Sequence, residues 1–179
     1  RHLARYPAER ATLNVSVNHD GGQREPVFAK VTETAESLRG AITALHDATG
    51  GPIVAWSSDS VRVWGDRPWN NDGKQLARVY HAVINFTAKF SDFDALSRFV
   101  ESAASTDGVT IGNIEWTLTE DRQLEVNESV RTEAVADAIA KATAYAKAIG
   151  LANVTATAIA DPGMLGNGPA HAGGGYELA

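Results

Sequence analysis

The feature that most constrains this fold is a run of two-residue alternation near the middle of the chain. Between Leu76 and Phe90, apolar side chains recur at every second position, and mostly polar ones stand between them. The apolar set is Tyr80, Ala82, Ile84, Phe86, Ala88 and Phe90. Because successive side chains of a β-strand point to opposite faces, this pattern predicts a long strand with one buried face. The fold therefore requires a sheet that is covered on one face and meets water on the other.

Three further segments show the same alternation and are also predicted as strands. They are Ala11–Asn18, Asn113–Leu118 and Val154–Ala160. Another strand, Ile53–Trp64, precedes a loop from Gly65 to Gln75 that is rich in Gly, Pro, Asn and Asp. This strand and Leu76–Phe90 are predicted to form a long hairpin, with a bend in the first arm at residues 57–60.

Helical spacing of apolar residues predicts three helices. The first follows Pro26 and stops at Gly50-Gly51, and its apolar positions are Val27, Val31, Leu38, Ile42 and Leu45. The second reaches Ala104 from a capping box of Ser91 and Asp94. The third runs from Asn127 to Ile149 and ends at Gly150, a residue that readily takes the left-handed conformation of a helix terminus.

The predicted order of elements is strand, helix, strand, strand, helix, strand, helix, strand. This order indicates an α+β fold with an antiparallel or mixed sheet and helices packed on one face. A chain of 179 residues suits one domain, predicted over residues 1–162. Residues 163–179 are rich in Gly and Pro and are predicted to form a mobile loop and the start of a further strand.

Charge and composition exclude several classes of function. The net charge is -6 and basic residues are dispersed, whereas nucleic-acid binders concentrate Lys and Arg, so we expect no nucleic-acid partner. No run approaches the roughly 20 apolar residues of a membrane span. The lack of a visible signal or transmembrane segment favours the cytoplasm, although an exported location stays open. The chain has no cysteine, which excludes disulfides and thiolate chemistry.

The predicted third helix carries a ridge of small residues. Ala134, Ala138, Ala142 and Ala146 fall four apart, so they share one side of the helix and allow close packing against a sheet or a second helix. The stretch Val130–Ala142, continuing to Ala146 and to Gly150-Leu151, resembles the alanine-spaced helix and Gly-Leu stop of the SIMPL-domain family. Pro7–Ala11 and the strand that follows resemble the family's opening strand.

The SIMPL resemblance covers roughly residues 8–160, and the relatives include bacterial periplasmic stress-associated proteins and outer-membrane immunogenic proteins. The resemblance implies an α+β fold, a tendency to form homo-oligomers, and a stress-related or envelope-associated role. It also leaves a periplasmic or exported location open. It transfers no catalytic residue, because the family has no agreed catalytic motif.

Aromatic and basic residues around the hairpin are the candidate contact residues for a ligand or a partner subunit. They are Trp56, Trp64, Trp69, Arg62 and Arg67. Exposed indoles with guanidinium groups nearby can stack a planar ligand or anchor a subunit, and packing of the hairpin is the structural alternative. The fourth indole, Trp116, shares the phase of Ile114 and Leu118 and is predicted to be core.

No motif in the sequence identifies a catalytic, metal or cofactor site. The five histidines show neither HxH nor HExxH spacing, and His81 is predicted to be a surface or partly buried imidazole. Asp59 and Asp66 flank the hairpin loop, where an acid-base pair is conceivable but turn formation is an equal explanation. We therefore expect no cofactor, no metal and no enzymatic activity. The leading hypothesis is a self-assembling protein, and the alternatives are a planar-ligand binder and a hydrolase without a recognisable motif.

Overall fold

The computed structural model describes residues 5–159, which divide into two compact units, residues 5–125 and residues 126–159. The first unit contains all five strands and two helices, and the third helix begins in it. In chain order the elements are β1 (Arg10–Gly21), α1 (Arg24–Leu45), β2 (Ile53–Ser58), β3 (Arg62–Asp66), β4 (Val79–Phe90), α2 (Phe93–Ala104), β5 (Val109–Thr117) and α3 (Glu120–Ala148).

The strands form one antiparallel sheet in the order β2-β4-β1-β5, and β3 pairs with β4 as well. Strands β1 and β4 pair without interruption from Ala11 opposite Phe90 to Gly21 opposite Tyr80. The pairing of β1 with β5 shifts register between Leu13 and Val15. The α+β fold and the antiparallel form of the sheet are thus confirmed.

The core lies on the face of the sheet that carries the alternating apolar residues. On β1 and β4 every second side chain is buried, and the buried residues of α1 and α2 join them in one cluster. The largest fully buried side chains are Phe86, Phe90, Leu13, Ile42, Ile53, Val17 and Val31. Burial of this apolar surface supplies the main driving force for folding the unit. The sheet therefore has one face covered by helices and one polar face, which we call the open face.

The first arm of the predicted hairpin is broken into two strands. Strand β2 pairs with the end of β4 near Phe90, and β3 pairs with the beginning of β4 near Val79. The bend predicted at residues 57–60 is confirmed by the gap between Ser58 and Arg62. Within one unbroken strand, residues an even number of positions apart point to the same face. Because of this break, such residues of β2 and β3 can point to different faces of the sheet.

All three helices differ from their predicted boundaries. Helix α1 begins at Arg24, before Pro26, and ends at Leu45, five residues before the predicted stop at Gly50-Gly51. Asp92, rather than Ser91, caps α2, since its carboxylate accepts hydrogen bonds from the backbone N–H groups of Asp94 and Ala95. The Ser91 hydroxyl instead donates to the carbonyl oxygen of Gly51. Helix α3 begins at Glu120, seven residues before the predicted start at Asn127.

The predicted last strand is wrong for residues 154–159, which adopt neither helix nor strand and are exposed. Alternating polarity alone does not make a strand, because each strand needs a neighbour to pair its backbone groups. Ala160 and the loop predicted over residues 163–179 lie outside the described residues, and a single domain over residues 1–162 stays a prediction. Within residues 5–159, no helix combines the length and apolar character that crossing a bilayer requires.

Candidate ligand site on the open face of the sheet

The open face is lined by amide, hydroxyl and carboxylate side chains that bond across strands. The Thr87 hydroxyl donates to Asn14 Oδ1 over 3.0 Å, and Asn14 Nδ2 donates to Asn113 Oδ1 over 3.1 Å. At another point Asn85 Nδ2 donates to Asp59 Oδ2 over 3.0 Å. The first two bonds tie β4, β1 and β5 together where no helix of the 5–125 unit covers them. Polar side chains therefore dominate the face, although Val79 and Val83 also lie on it.

Four residues at one end of the open face form what we call the His81 cluster: Asp20, Trp64, Asp66 and His81. The distance from His81 Nδ1 to Asp20 Oδ1 is 2.7 Å, and that from His81 Nε2 to Asp66 Oδ1 is 3.3 Å. The indole of Trp64 stacks on the imidazole, with ring centroids 5.3 Å apart and planes inclined by 24°. A half-exposed aromatic ring therefore lies beside an imidazole held between two carboxylates.

Strand register explains why these residues meet. Both Asp20 on β1 and Trp64 on β3 are directly opposite His81 on β4. Asp66 is opposite Val79, two residues from His81, so it points to the same face. Neighbouring strands are close enough for directly paired side chains to touch. The cluster therefore forms because β4 pairs with both β1 and β3.

The geometry of the cluster favours the charged form of His81. Only an imidazolium has an N–H on both ring nitrogens, so only this form can donate to both carboxylates. The hydrogen bond to Asp20 contributes most to raising the pKa of His81, desolvation opposes it, and the hydrogen bond to Asp66 adds to it. While it is protonated, the imidazolium donates from both nitrogens and has no lone pair with which to bind a metal or take a proton.

Comparison with known proteins now places the chain in a family. The family model SIMPL, described as "Protein of unknown function (DUF541)", matches residues 4–176. The chain belongs to the SIMPL family. No curated protein matches it. Among solved structures, "De novo designed protein Foldit4" aligns at 14% identity with a TM-score of 0.31, over 63% of this chain and 100% of the designed one. That structural likeness is too weak to support any argument.

The structure separates the candidate contact residues of this SIMPL protein. Trp64 belongs to the His81 cluster and is 50% exposed, and Arg62 is two residues away on the same face of β3. Trp56 is opposite Ala88, on the helix-covered face, where it packs against the core. Trp69 and Arg67 are exposed in the segment between β3 and β4. The five residues are thus not one cluster. Of these five, Trp64 alone has a ring contact in the described part of the chain.

The prediction that Trp116 is core is wrong for this SIMPL protein. The residue is on the helix-covered face, opposite Ala11, but it is 53% exposed. Strand β5 is at the edge of the sheet, so the indole is covered on one side only, by an edge-to-face contact with Phe93 at 5.0 Å. An in-phase position on an edge strand does not ensure burial, because no neighbouring strand shields its outer side.

The alanine ridge is located on the part of α3 that belongs to the second unit. Ala134 and Ala138 are exposed, Ala142 is half-buried and Ala146 is buried. The role of this ridge in helix packing stays a prediction. Within residues 5–159, no group of three or more His, Asp or Glu side chains is arranged to hold a metal ion.

Sequence reasoning missed the carboxylate partners of His81. The local sequence Asp20-Gly21-Gly22 indicates a turn, although Asp20 continues the polar phase of β1 that includes Ser16 and Asn18. From the sequence, Asp66 likewise is expected to belong to the loop that begins at Gly65. The sequence does place Asp20 and His81 on the polar faces of their strands. Only the register between β1 and β4 shows that these two residues are directly opposite each other.

Proposed function

We propose that this SIMPL protein is a non-enzymatic, self-assembling protein whose copies associate through the outer edge of β5. The observation that carries the proposal is the state of that edge. In the described residues β5 pairs with β1 alone, so one side of a nine-residue strand has backbone N–H and C=O groups without a strand partner. Such an edge is a template for pairing with another chain.

The side chains of β5 leave this edge poorly protected. Proteins usually guard edge strands with Lys, Pro or inward-pointing charges, and β5 has no Lys, no Pro and a single charged residue, Glu115. Its half-exposed Trp116 adds apolar surface that association would bury. Two copies can pair β5 with β5 in antiparallel fashion, since a twofold axis matches the same edge to itself. The partner that fits best is therefore a second copy of this chain.

A stress-related or envelope-associated role belongs to the same proposal and rests on the family resemblance. A hydrolase has no comparable support. The His81 cluster contains an imidazole with two carboxylate neighbours, yet both nitrogens of this imidazole are held by those carboxylates. The protonated imidazole donates to both carboxylates and therefore has no lone pair with which to act as a general base.

Replacing Thr110 with lysine is expected to weaken self-association about tenfold or more, corresponding to ~1.4 kcal/mol. The residue is exposed on β5, where a lysine in each copy places like charges at the paired edge. The measurement is light scattering over a series of concentrations. The control is Thr43→Lys, the same exchange at an exposed position of α1, which should assemble like the original chain. A strictly monomeric original chain, or equal assembly of both variants, would refute the proposal.

A second candidate function is binding of planar small molecules at Trp64. The observation that favours it is the geometry of the indole, which is half-exposed while one face is stacked on His81. Planar aromatic compounds of different charge should then quench tryptophan fluorescence saturably. The quenching should disappear in Trp64→Phe and persist in Trp69→Phe, whose indole is exposed outside the cluster. Loss of quenching in neither variant would end this candidate.

A further inference from the structure

We propose that the His81 cluster is a binding site for planar organic cations of the guanidinium or amidinium class, and that these cations compete with the proton on His81. The inference rests on the second candidate function and names its ligand class. It is carried by three features of the same four residues: a half-exposed indole, two carboxylates with free acceptor capacity, and a titrating imidazole between them.

The indole of Trp64 presents a flat surface to a ligand. Its ring is nearly parallel to the imidazole of His81 at 5.3 Å, so one face is occupied. The residue is nevertheless 50% exposed, so half of its surface is available to a ligand. An indole face is electron-rich and attracts cations more strongly than the faces of other aromatic residues. Planar cations make the largest contact with it.

The carboxylates beside the indole accept hydrogen bonds and donate none. Asp20 and Asp66 each bond His81 through Oδ1, and their side chains are 66% and 61% exposed. An ionised carboxylate has about four acceptor positions, so a single bond to His81 leaves room for more. A guanidinium or amidinium has N–H donors in the plane of its charge, and these match carboxylate oxygens well. Anions and neutral aromatic rings lack the positive charge, the in-plane N–H donors, or both.

The charge of the cluster depends on His81. With the imidazole protonated, the two carboxylates and the imidazolium sum to -1, and with the imidazole neutral they sum to -2. Among described residues, Arg62 is opposite Val83 on the same face, and Lys30 of α1 lines a pocket together with Asp20. Asp59, Lys89 and Glu115 belong to the open face at register positions four or more residues farther along the strands. The protonation of His81 therefore sets the attraction that a cation meets.

The sign of the coupling follows from this charge. The pKa of His81 is raised above its usual value of 6.5, chiefly by the hydrogen bond to Asp20. As pH rises through this pKa, the imidazolium loses its proton and the carboxylates gain capacity for another cation. Cation affinity should increase across that range, and by linkage a bound cation should lower the pKa of His81.

Benzamidine and benzamide are suitable probes because they share size and shape, while only benzamidine is charged. The full chain is titrated with each while the Trp64 indole and His81 ring resonances are followed by NMR. Benzamidine should shift both sets of resonances saturably, and benzamide should bind about threefold to fivefold more weakly, as expected for loss of a cation–π contact at an exposed site. Benzamidine affinity should also rise by about threefold or more between pH 6 and pH 9 as the electrostatic attraction grows.

Variants separate the inference from a general effect of charge. Asp66→Asn should weaken benzamidine binding at least as much as replacing benzamidine with benzamide does. Asp72→Asn, in the exposed segment before β4, should leave benzamidine binding unchanged. His81→Gln should bind benzamidine with no dependence on pH over the same range. Thermal unfolding of each variant checks that the sheet is retained.

Each outcome decides between the proposals. Equal binding of benzamide and benzamidine, equal effects of the two Asp variants, or a pH-independent original chain would overturn the cation site while leaving a planar-ligand site standing. Absence of any shift with either probe would overturn both. None of these results bears on self-assembly through β5, which light scattering tests separately.

Discussion

Replacing Gly108 with alanine is expected to lower the free energy of unfolding of the 5–125 unit by about 2–5 kcal/mol, combining left-handed backbone strain with overpacking. Gly108 has a φ of +78°, a region that L side chains rarely adopt. A Cβ at this position would be 2.4 Å from the His19 ring and 2.8 Å from the backbone oxygen of Asn18. Neither neighbour can easily move.

The neighbours of Gly108 are fixed by other bonds. His19 is buried and its Nε2 is 3.3 Å from the Thr34 hydroxyl on α1. The backbone N–H of Asn18 donates to the Gly108 carbonyl oxygen over 2.8 Å. An added methyl group would therefore push β5 away from β1 or displace the imidazole from α1. Both movements open the core at the end of the sheet.

Gly73→Ala provides the matched control for this substitution. Gly73 has a similar φ of +71°, but a Cβ there would meet nothing within 4 Å. Its substitution should cost about 1–2 kcal/mol from backbone strain alone. The measurement is chemical denaturation of both variants, and the difference between them isolates the steric part. Equal losses in the two variants would show that the His19 packing is not as tight as the structure has it.

Replacing Phe90 with alanine is expected to cost about 3–5 kcal/mol, the range for deleting a buried aromatic ring. Phe90 is fully buried on β4, opposite Ala11 of β1, and its ring is 5.6 Å from that of Phe99 on α2. Because it joins the sheet to a helix, the cavity left by its removal would have rigid walls. A loss of this size approaches the whole stability of many small domains.

Phe28→Ala is the control for the loss of a phenylalanine from the chain. Phe28 is on α1 with 46% of its surface exposed, and its substitution should change stability by about 1 kcal/mol or less. Urea unfolding followed by far-UV circular dichroism measures both variants, with the midpoint and slope compared. If Phe90→Ala were no more damaging than Phe28→Ala, the assignment of the core face of β4 would be wrong.

The periodic parts of the sequence were sufficient to predict the framework of the 5–125 unit. Alternation in β1 and β4 identified the buried face residue by residue, because the side-chain period of a strand is fixed by backbone geometry. Helical spacing likewise identified four of the five buried positions of α1, Val27, Val31, Leu38 and Ile42, but it missed Ala35 and included the half-buried Leu45. Local chemistry was less reliable, since Ser91 and Asp92 are both good caps and only the backbone geometry selected Asp92.

The contents of the candidate site required tertiary structure. Asp20 and His81 are 61 positions apart in the chain, and Asp66 and His81 are 15 apart. Nothing local in the sequence states that β1 pairs with β4, so the polar phases of the two strands could not be aligned. The two hairpin indoles show the same limit. Trp56 and Trp64 were predicted to cluster, but the break between β2 and β3 places them on opposite faces.

The sequence by itself determined the apolar face of β1 and β4, and from it that helices cover one side of an antiparallel or mixed sheet. Tertiary structure alone decided the register of β4 with its neighbours, the exposure of Trp116 at an edge, and the absence of strand structure over residues 154–159. The physical reason is the distance along the chain over which each constraint acts. Alternation is imposed within each strand by covalent geometry, whereas pairing, edges and clusters depend on which distant segments provide the matching hydrogen bonds.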